Sequence, residues 1–365
     1  MAPSFLTLSH APPGATRRDA LLRVARGGAG VLLLSGSRLA PASAASSEAF
    51  SPASSARLRF ALPLLDEALA SRAAWEPLLH PLCAAVGCAL ETATLSSLES
   101  LARAVAHAEV DAGFLAPEAA LQAVVEGRMR ILAQAKRPAA QDPNRAVLLV
   151  RRAAPPDALD RLLAEPQDWR IAYGERRSIA GYVLPQARLF LPRGIDMETA
   201  FRTETVGSTF ASSLALANGD VDIATGTLDD HRLFCRRFPP EGRQLRIVWQ
   251  SEPLPAERFA IRADWPRVTR QEVRRFLLRY GTAAGPRSAQ ERAVLRALNA
   301  PAGYEAAPHA TLLPVAQLQR DLALQRVRAA QWTSDAARAR RLAQIAAEYE
   351  RQKAVLLRDE ERVAG

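Results

Sequence analysis

Ala172-Tyr173-Gly174, Ser178-Ile179-Ala180-Gly181-Tyr182-Val183-Leu184-Pro185 and Asn218-Gly219-Asp220-Val221-Asp222-Ile223-Ala224 are three pieces of one stretch, and their order decides the fold. Trp169 to Tyr173 carries strand residues and runs into a loop of small residues that opens directly into a helix. Such a junction leaves backbone N–H groups unpaired at the helix start, with the helix dipole behind them, which makes it a seat for an anion. Asn218-Gly219 then closes a second helix, from Thr209 to Ala217, and Val221 to Ala224 reads as the next strand.

The same alternation appears upstream. Arg57 to Leu62 alternates polar and apolar residues at period two, and Ala74, Trp75, Leu78, Leu79, Leu82 and Val86 recur at helical spacing up to Gly87. Ala89–Thr94 and Val110–Leu115 read as further strands around a helix through Leu98, Leu101 and Val105. Strands alternating with such helices predict parallel pairing with helices on both faces. Ala146 to Arg151 is an apolar strand of the kind buried on both sides, and Ala-Ala-Pro-Pro after it suits a crossover. From Leu159 a second series begins, and Arg246–Trp249 and Arg258–Arg262 lead the chain back. The class is therefore α/β with two lobes, each a mixed, mainly parallel sheet with flanking helices. The expected boundaries are 57–150 and 250–314 for the first lobe and 151–249 for the second, with a C-terminal helical extension at 315–365. Ligands in such folds bind where strand ends and helix starts of both lobes face the cleft.

In the extension, Val315, Leu318 and Leu322 start a helix, and Leu342, Ile345, Tyr349 and Leu356 mark a narrow apolar stripe on another. From Ser334 to about Arg362 the latter would extend about 40 Å at 1.5 Å per residue. Its stripe suits either the first lobe or a second copy of the chain.

The formal charge of +10 is almost all arginine, Lys136 and Lys353 being the only lysines, and no basic cluster is interleaved with aromatic residues. That argues against a nucleic-acid partner. The first residues explain themselves as an address: Arg17-Arg18, an apolar core from Val31 to Leu34, and Ala42-Ser43-Ala44 as a cleavage pattern. Residues 1–44 are expected to be a twin-arginine-like export signal, with Ala20 where such signals usually carry Phe, and 45–56 a flexible linker. Cys83, Cys88 and Cys235 form an odd set, so at most one internal disulfide can form, and Cys83 with Cys88 reads as a buried pair of free thiols. His80, His107, His231 and His309 are scattered, so no metal site or cofactor is implied.

Over roughly residues 57–310 the chain resembles the phosphate, phosphite and phosphonate type of periplasmic binding protein that serves ABC importers. The likeness rests on Val110-Asp111-Ala112-Gly113-Phe114-Leu115-Ala116-Pro117, on the three pieces quoted first, and on Trp249-Gln250-Ser251-Glu252-Pro253-Leu254-Pro255. It implies a two-lobed (type II-like) periplasmic binding protein fold, a soluble periplasmic location, a small-molecule ligand and an ABC permease partner. The family's Ser-Thr-Ser-Gly loop, which holds the oxyanion, reads Ser178-Ile179-Ala180-Gly181 here, so two of three hydroxyls are replaced. A tyrosine usual in the first lobe falls near Ala120, and a Ser-His pair reads Ser208-Thr209. The implied ligand contacts are Ala116, Pro117, Ser178, Ile179, Ala180, Gly181, Tyr182, Ser208 and Thr209. Thr225, Thr227 and Asp229 are candidate replacements for the lost hydroxyls, an acidic residue there favouring a ligand with a cationic group.

Each hydrogen bond to a charged group contributes about 1.5 to 3 kcal/mol, so losing several changes affinity by orders of magnitude. Two functions follow: a receptor that closes on a small ligand, or a ligand-divergent sensor or interaction protein that docks or dimerises through its C-terminal helix. No Ser-His-Asp order or paired-carboxylate loop marks an enzyme.

Overall fold

Arg57-Leu58-Arg59-Phe60-Ala61-Leu62 forms strand β1, with Leu58 and Phe60 wholly buried between more exposed arginines, as the alternation demands. In the computed structural model the described residues are 57–62, 68–95, 97–138 and 143–363. The expected export signal and the linker lie outside them.

Ten further strands follow: β2 (Ala89–Thr94), β3 (Ala112–Leu115), β4 (Met129–Ala135), β5 (Arg145–Arg151), β6 (Arg170–Tyr173), β7 (Thr203–Val206), β8 (Ile223–Thr227), β9 (Leu245–Pro253), β10 (Arg258–Arg262) and β11 (Tyr304–Glu305). They form two sheets, ordered β11-β4-β10-β3-β1-β2 and β7-β6-β8-β5-β9. Both are mixed. Parallel pairing joins β2, β1 and β3 in the first sheet and β7, β6 and β8 in the second. The remaining pairs, through β4, β5, β9, β10 and β11, are antiparallel. The sheets are thus less parallel than the alternation predicts, because the strands flanking the two crossovers enter from the opposite direction.

The crossovers also lie elsewhere than expected. The expected boundaries put Ala146–Val150 in the first lobe and Gln250–Pro253 with it, yet β5 and β9 pair with each other in the second sheet. The chain changes sheets between β4 and β5 and again between β9 and β10. An apolar strand is buried on both faces at the centre of either sheet, so Val147 to Val150, all at 0% exposure, are satisfied in the second as well as they would be in the first.

Helices α1 (Ala68–Val86), α2 (Leu98–Ala106) and α3 (Pro117–Val125) flank the first sheet. Gly87, at φ +69°, ends α1 in the left-handed conformation that favours glycine. Trp75, Leu78, Leu79 and Leu82 of α1 pack with Leu58, Phe60, Phe114 and Phe259 of the sheet. In the second sheet, the helix Thr209–Asn218 is capped by Ser208 and closed by Gly219 at φ +86°. The helix after β6 starts at Ile179, capped by Ser178, and is wound as two wide π-type segments, Ile179–Val183 and Pro185–Phe190.

The extension folds as two helices, Leu313–Ala329 and Asp335–Val363. Ile345, Tyr349 and Leu356 are buried, Tyr349 and Leu356 within the chain's own core, and the Arg320 guanidinium lies over the Tyr349 ring at 4.4 Å. The stripe is covered in cis. All three cysteines are free thiols. No helix among the described residues is long and apolar enough to cross a membrane.

Candidate ligand cleft

A cavity of about 260 Å³ lies between the two sheets. The β3–α3 turn supplies Phe114, Ala116, Pro117 and Glu118; the loop before Ile179 supplies Ser178, Ile179 and Ala180; the turn after β8 supplies Thr227, Asp229 and Asp230. The crossovers contribute Lys136, Arg137, Asn144 and Leu254 to Glu257, and Asn299 and Pro301 add to the lining.

The β3–α3 turn follows from its residues. Ala116 is extended and Pro117 occupies the first helical position, where its missing N–H costs nothing. Glu118 then falls in the first turn, beside unpaired N–H groups, yet only 9% exposed. From the opposite sheet, the Ile179 N–H donates to Glu118 Oε1 at 3.4 Å. Burial pushes the Glu118 carboxyl up to about 7 despite these N–H groups, and Glu175 adds to the push. Two more bonds span the cleft: the Leu98 N–H donates to Glu175 Oε1 at 3.2 Å and Arg177 to Gln122 at 2.9 Å.

The loop before Ile179 is tied to itself. Ser178 Oγ accepts the Gly181 N–H at 3.1 Å, and the Gly174 N–H donates to the Gly181 carbonyl at 3.1 Å. A Cβ at Gly181 would stand 2.8 Å from Gly174 Cα, so this approach needs both glycines. Behind the loop, the buried Thr225 hydroxyl donates to the Gly181 carbonyl at 2.6 Å.

At the second sheet's other turn, Thr227 caps the helix Leu228–Arg237 by accepting the Asp230 N–H at 3.0 Å. The Asp229 N–H donates to Asn144, and Arg137 donates to the Asp229 carboxylate at 2.8 Å. Glu257 stands in the crossover, open to the cleft. Partial desolvation in the cleft pushes its carboxyl up, tempered by that opening, and Asp230, Glu118 and Asp229 push the same way. The ring of Tyr304 meets Phe114 edge-on at 5.7 Å, and its buried hydroxyl has no hydrogen-bond partner among the described residues.

Of the residues read from the sequence, Ala116, Pro117, Ser178, Ile179, Ala180 and Thr227 line the cavity, and Asp229 with them. Gly181, Tyr182, Ser208, Thr209 and Thr225 do not. Tyr182 is wholly buried, its hydroxyl donating to Glu198 at 2.6 Å and accepting from Arg326 at 2.6 Å. Ser208 is spent as a helix cap, accepting the Ala211 N–H at 3.2 Å, and Thr209 packs against Gly226. Sequence reading missed Glu118 and Glu257. Glu118 directly follows Ala116-Pro117, so an acid in the first turn after a cleft-facing strand was a usable signal; Glu257 had none.

The chain matches the family model of the phosphonate ABC transporter periplasmic substrate-binding protein over residues 65–312. It belongs to that family, whose members are periplasmic substrate-binding components of ABC transporters rather than enzymes. It is 24% identical over 244 residues to the phosphonates-binding periplasmic protein of Escherichia coli (strain K12), covering 67% of this chain and 70% of that one. Among solved structures, it is similar to a binding protein component of an ABC phosphonate transporter from Pseudomonas aeruginosa, with a TM-score of 0.74 at 22% identity, over 84% of this chain and 99% of that one. A Prochlorococcus marinus protein in complex with methylphosphonate gives a TM-score of 0.61 at 14% identity, over 73% and 98% of the two chains. These likenesses carry the fold.

Proposed function

We propose that the protein is an exported receptor that closes its two lobes on a small solute in this cavity and presents it to an ABC permease. The observation that carries the reading is the cavity's construction. Helix starts from both sheets face each other across it, two crossovers join the lobes, and Ile179–Glu118, Leu98–Glu175 and Arg177–Gln122 are the bonds a hinge opening would break. The relatives are named for phosphonates, which makes phosphate, phosphite and phosphonates the first solutes to test.

The sensor or homodimer reading gains nothing from the C-terminal stripe, which packs within the chain itself. A thermal-shift screen of oxyanions, aminoalkylphosphonates, amines, carboxylates and sugars tests the receptor reading, with small-angle scattering on any hit. A bound solute at one hundred times its Kd adds about 2.7 kcal/mol and raises Tm. Closure would lower the radius of gyration. A folded protein that no solute stabilises overturns the reading.

A further inference from the structure

An oxyanion entering this cavity meets carboxylates, and it needs a positive charge that the protein has not already spent. We infer that Lys136, on the first crossover, holds the ligand's oxyanion in place of the hydroxyls missing from the Ser178 loop. The inference rests on the receptor reading and specifies how that site takes an anion.

Three observations carry it. First, Lys136 lines the cavity, and its side chain has no hydrogen bond or ion pair among the described residues. Its backbone is fixed: the N–H donates to the Gly303 carbonyl at 2.8 Å, directly after β4 pairs with β11. Arg137, which also lines the cavity, is turned to the Asp229 carboxylate at 2.8 Å. The chain's 48 basic residues are arginine except at Lys136 and Lys353, and a lysine differs in kind, being a compact point charge with three donors.

Second, the polar groups that line the cavity with Lys136 still have donors to give. Asn144, at the far end of the same crossover, accepts the Arg145 and Asp229 N–H groups through Oδ1 at 3.1 and 3.0 Å, which leaves its amide NH2 free to donate. The Ser178 and Thr227 hydroxyls each accept one backbone N–H, from Gly181 at 3.1 Å and from Asp230 at 3.0 Å. Each keeps its own proton for a ligand oxygen.

Third, the other means of holding an anion are reduced. The Ile179 N–H at the helix start donates to Glu118 at 3.4 Å, and Ile179 and Ala180 stand where the family's loop carries hydroxyls. Asp229 is offset by Arg137, but Glu257 has no ion pair among the described residues and repels an anion. Lys136 is the charge that offsets it. A charge-assisted hydrogen bond is roughly twice as strong as a neutral one, so one ammonium can stand in for two lost hydroxyls.

Isothermal titration of the full chain at pH 7.5 with inorganic phosphate, methylphosphonate and aminomethylphosphonate tests this. At least one is expected to bind. Lys136→Met keeps the reach of the side chain but removes its charge and donors, and it should weaken that probe about tenfold or more. Lys136→Arg should restore most of the loss, and added salt should weaken the wild type more than Lys136→Met. Lys136 has no side-chain partner to lose, so Tm of ligand-free Lys136→Met should match the wild type; a clearly lower Tm would make the residue structural and overturn the inference. Unchanged affinity in Lys136→Met overturns it and leaves the receptor reading standing. Equal losses in Lys136→Met and Lys136→Arg do the same, because charge would then not be what the ligand reads. Failure of all three probes overturns it too, and the wider solute screen then judges the receptor reading on its own.

Discussion

The two sheets carry the same clamp. In the first, Arg59 donates from its backbone N–H and Nε to Asp111 Oδ2 at 2.8 and 2.9 Å, and from Nη2 to Oδ1 at 2.8 Å and to the Ala108 carbonyl at 2.6 Å. In the second, Arg170 makes the same four bonds, to Asp222 at 3.0, 2.9 and 2.8 Å and to the Gly219 carbonyl at 2.9 Å. Both arginines sit near the start of a parallel strand, at the end of the sheet away from the cleft. At the cleft ends the sheets diverge: one turn presents Glu118 to the other lobe, while the other holds Asp229 against Arg137. The ends that only hold the fold together are alike, and the ends that meet the cavity differ.

The likeness has a limit that mutation can expose. Asp111 is 4% exposed and also pairs with Arg262 at 2.9 Å, whereas Asp222 is 22% exposed and its second arginine, Arg151, is 3.8 Å away. Burial raises both carboxyls, but the bonds and charges of the neighbouring arginines win and hold both below the ordinary carboxylate range. Asp111→Ala is expected to cost about 3 kcal/mol, as breaking a buried pair does, read from chemical denaturation. Asp222→Ala should cost clearly less, because water screens what it leaves. Equal losses would break the distinction between the clamps.

The next effect belongs to the second sheet's loop. Gly181→Ala would drive a methyl into Gly174 and is expected to destabilise by about 2 kcal/mol. A neutral result would mean that the loop gives way, and that its self-bonded form is not fixed.

The smallest effect is electrostatic and separates the cleft end from the clamped ends. Glu118 is raised to about 7, so between about pH 4.3 and 7 the folded chain holds a proton that the unfolded chain releases. Stability from this group therefore falls as pH rises through that window, by on the order of 1 kcal/mol once water in the cleft is allowed for. Asp111 and Asp222 act in the opposite direction, losing their contribution as pH falls below about 4. Without ligand, Tm of the wild type should decline relative to Glu118→Gln between pH 5 and 7.5; parallel curves would place Glu118 in contact with bulk water.

Much of this was legible without coordinates. Period-two strands such as Arg57–Leu62 and helix signals such as Gly87 and Gly219 are local, and they fixed the two α/β series and the helix start beside Ser178. Six of the eleven predicted contacts line the cavity for the same reason: a strand end and the turn after it are neighbours in sequence. The placement of β5 was not legible, because an all-apolar strand satisfies the centre of either sheet. Tyr182 reads as a ligand contact, but its hydroxyl finds Glu198 and Arg326, the latter 144 residues away.

By itself, then, the sequence determined two alternating α/β series, a helix start built as an anion seat, and the loss of the hydroxyls that would make it selective. Only the tertiary structure decided what fills that seat. Glu118 lies 61 residues from Ile179 in the chain, and its burial and raised carboxyl come from elements that only the fold brings against it. Desolvation and the Coulomb field depend on distance through space, which local sequence patterns do not encode.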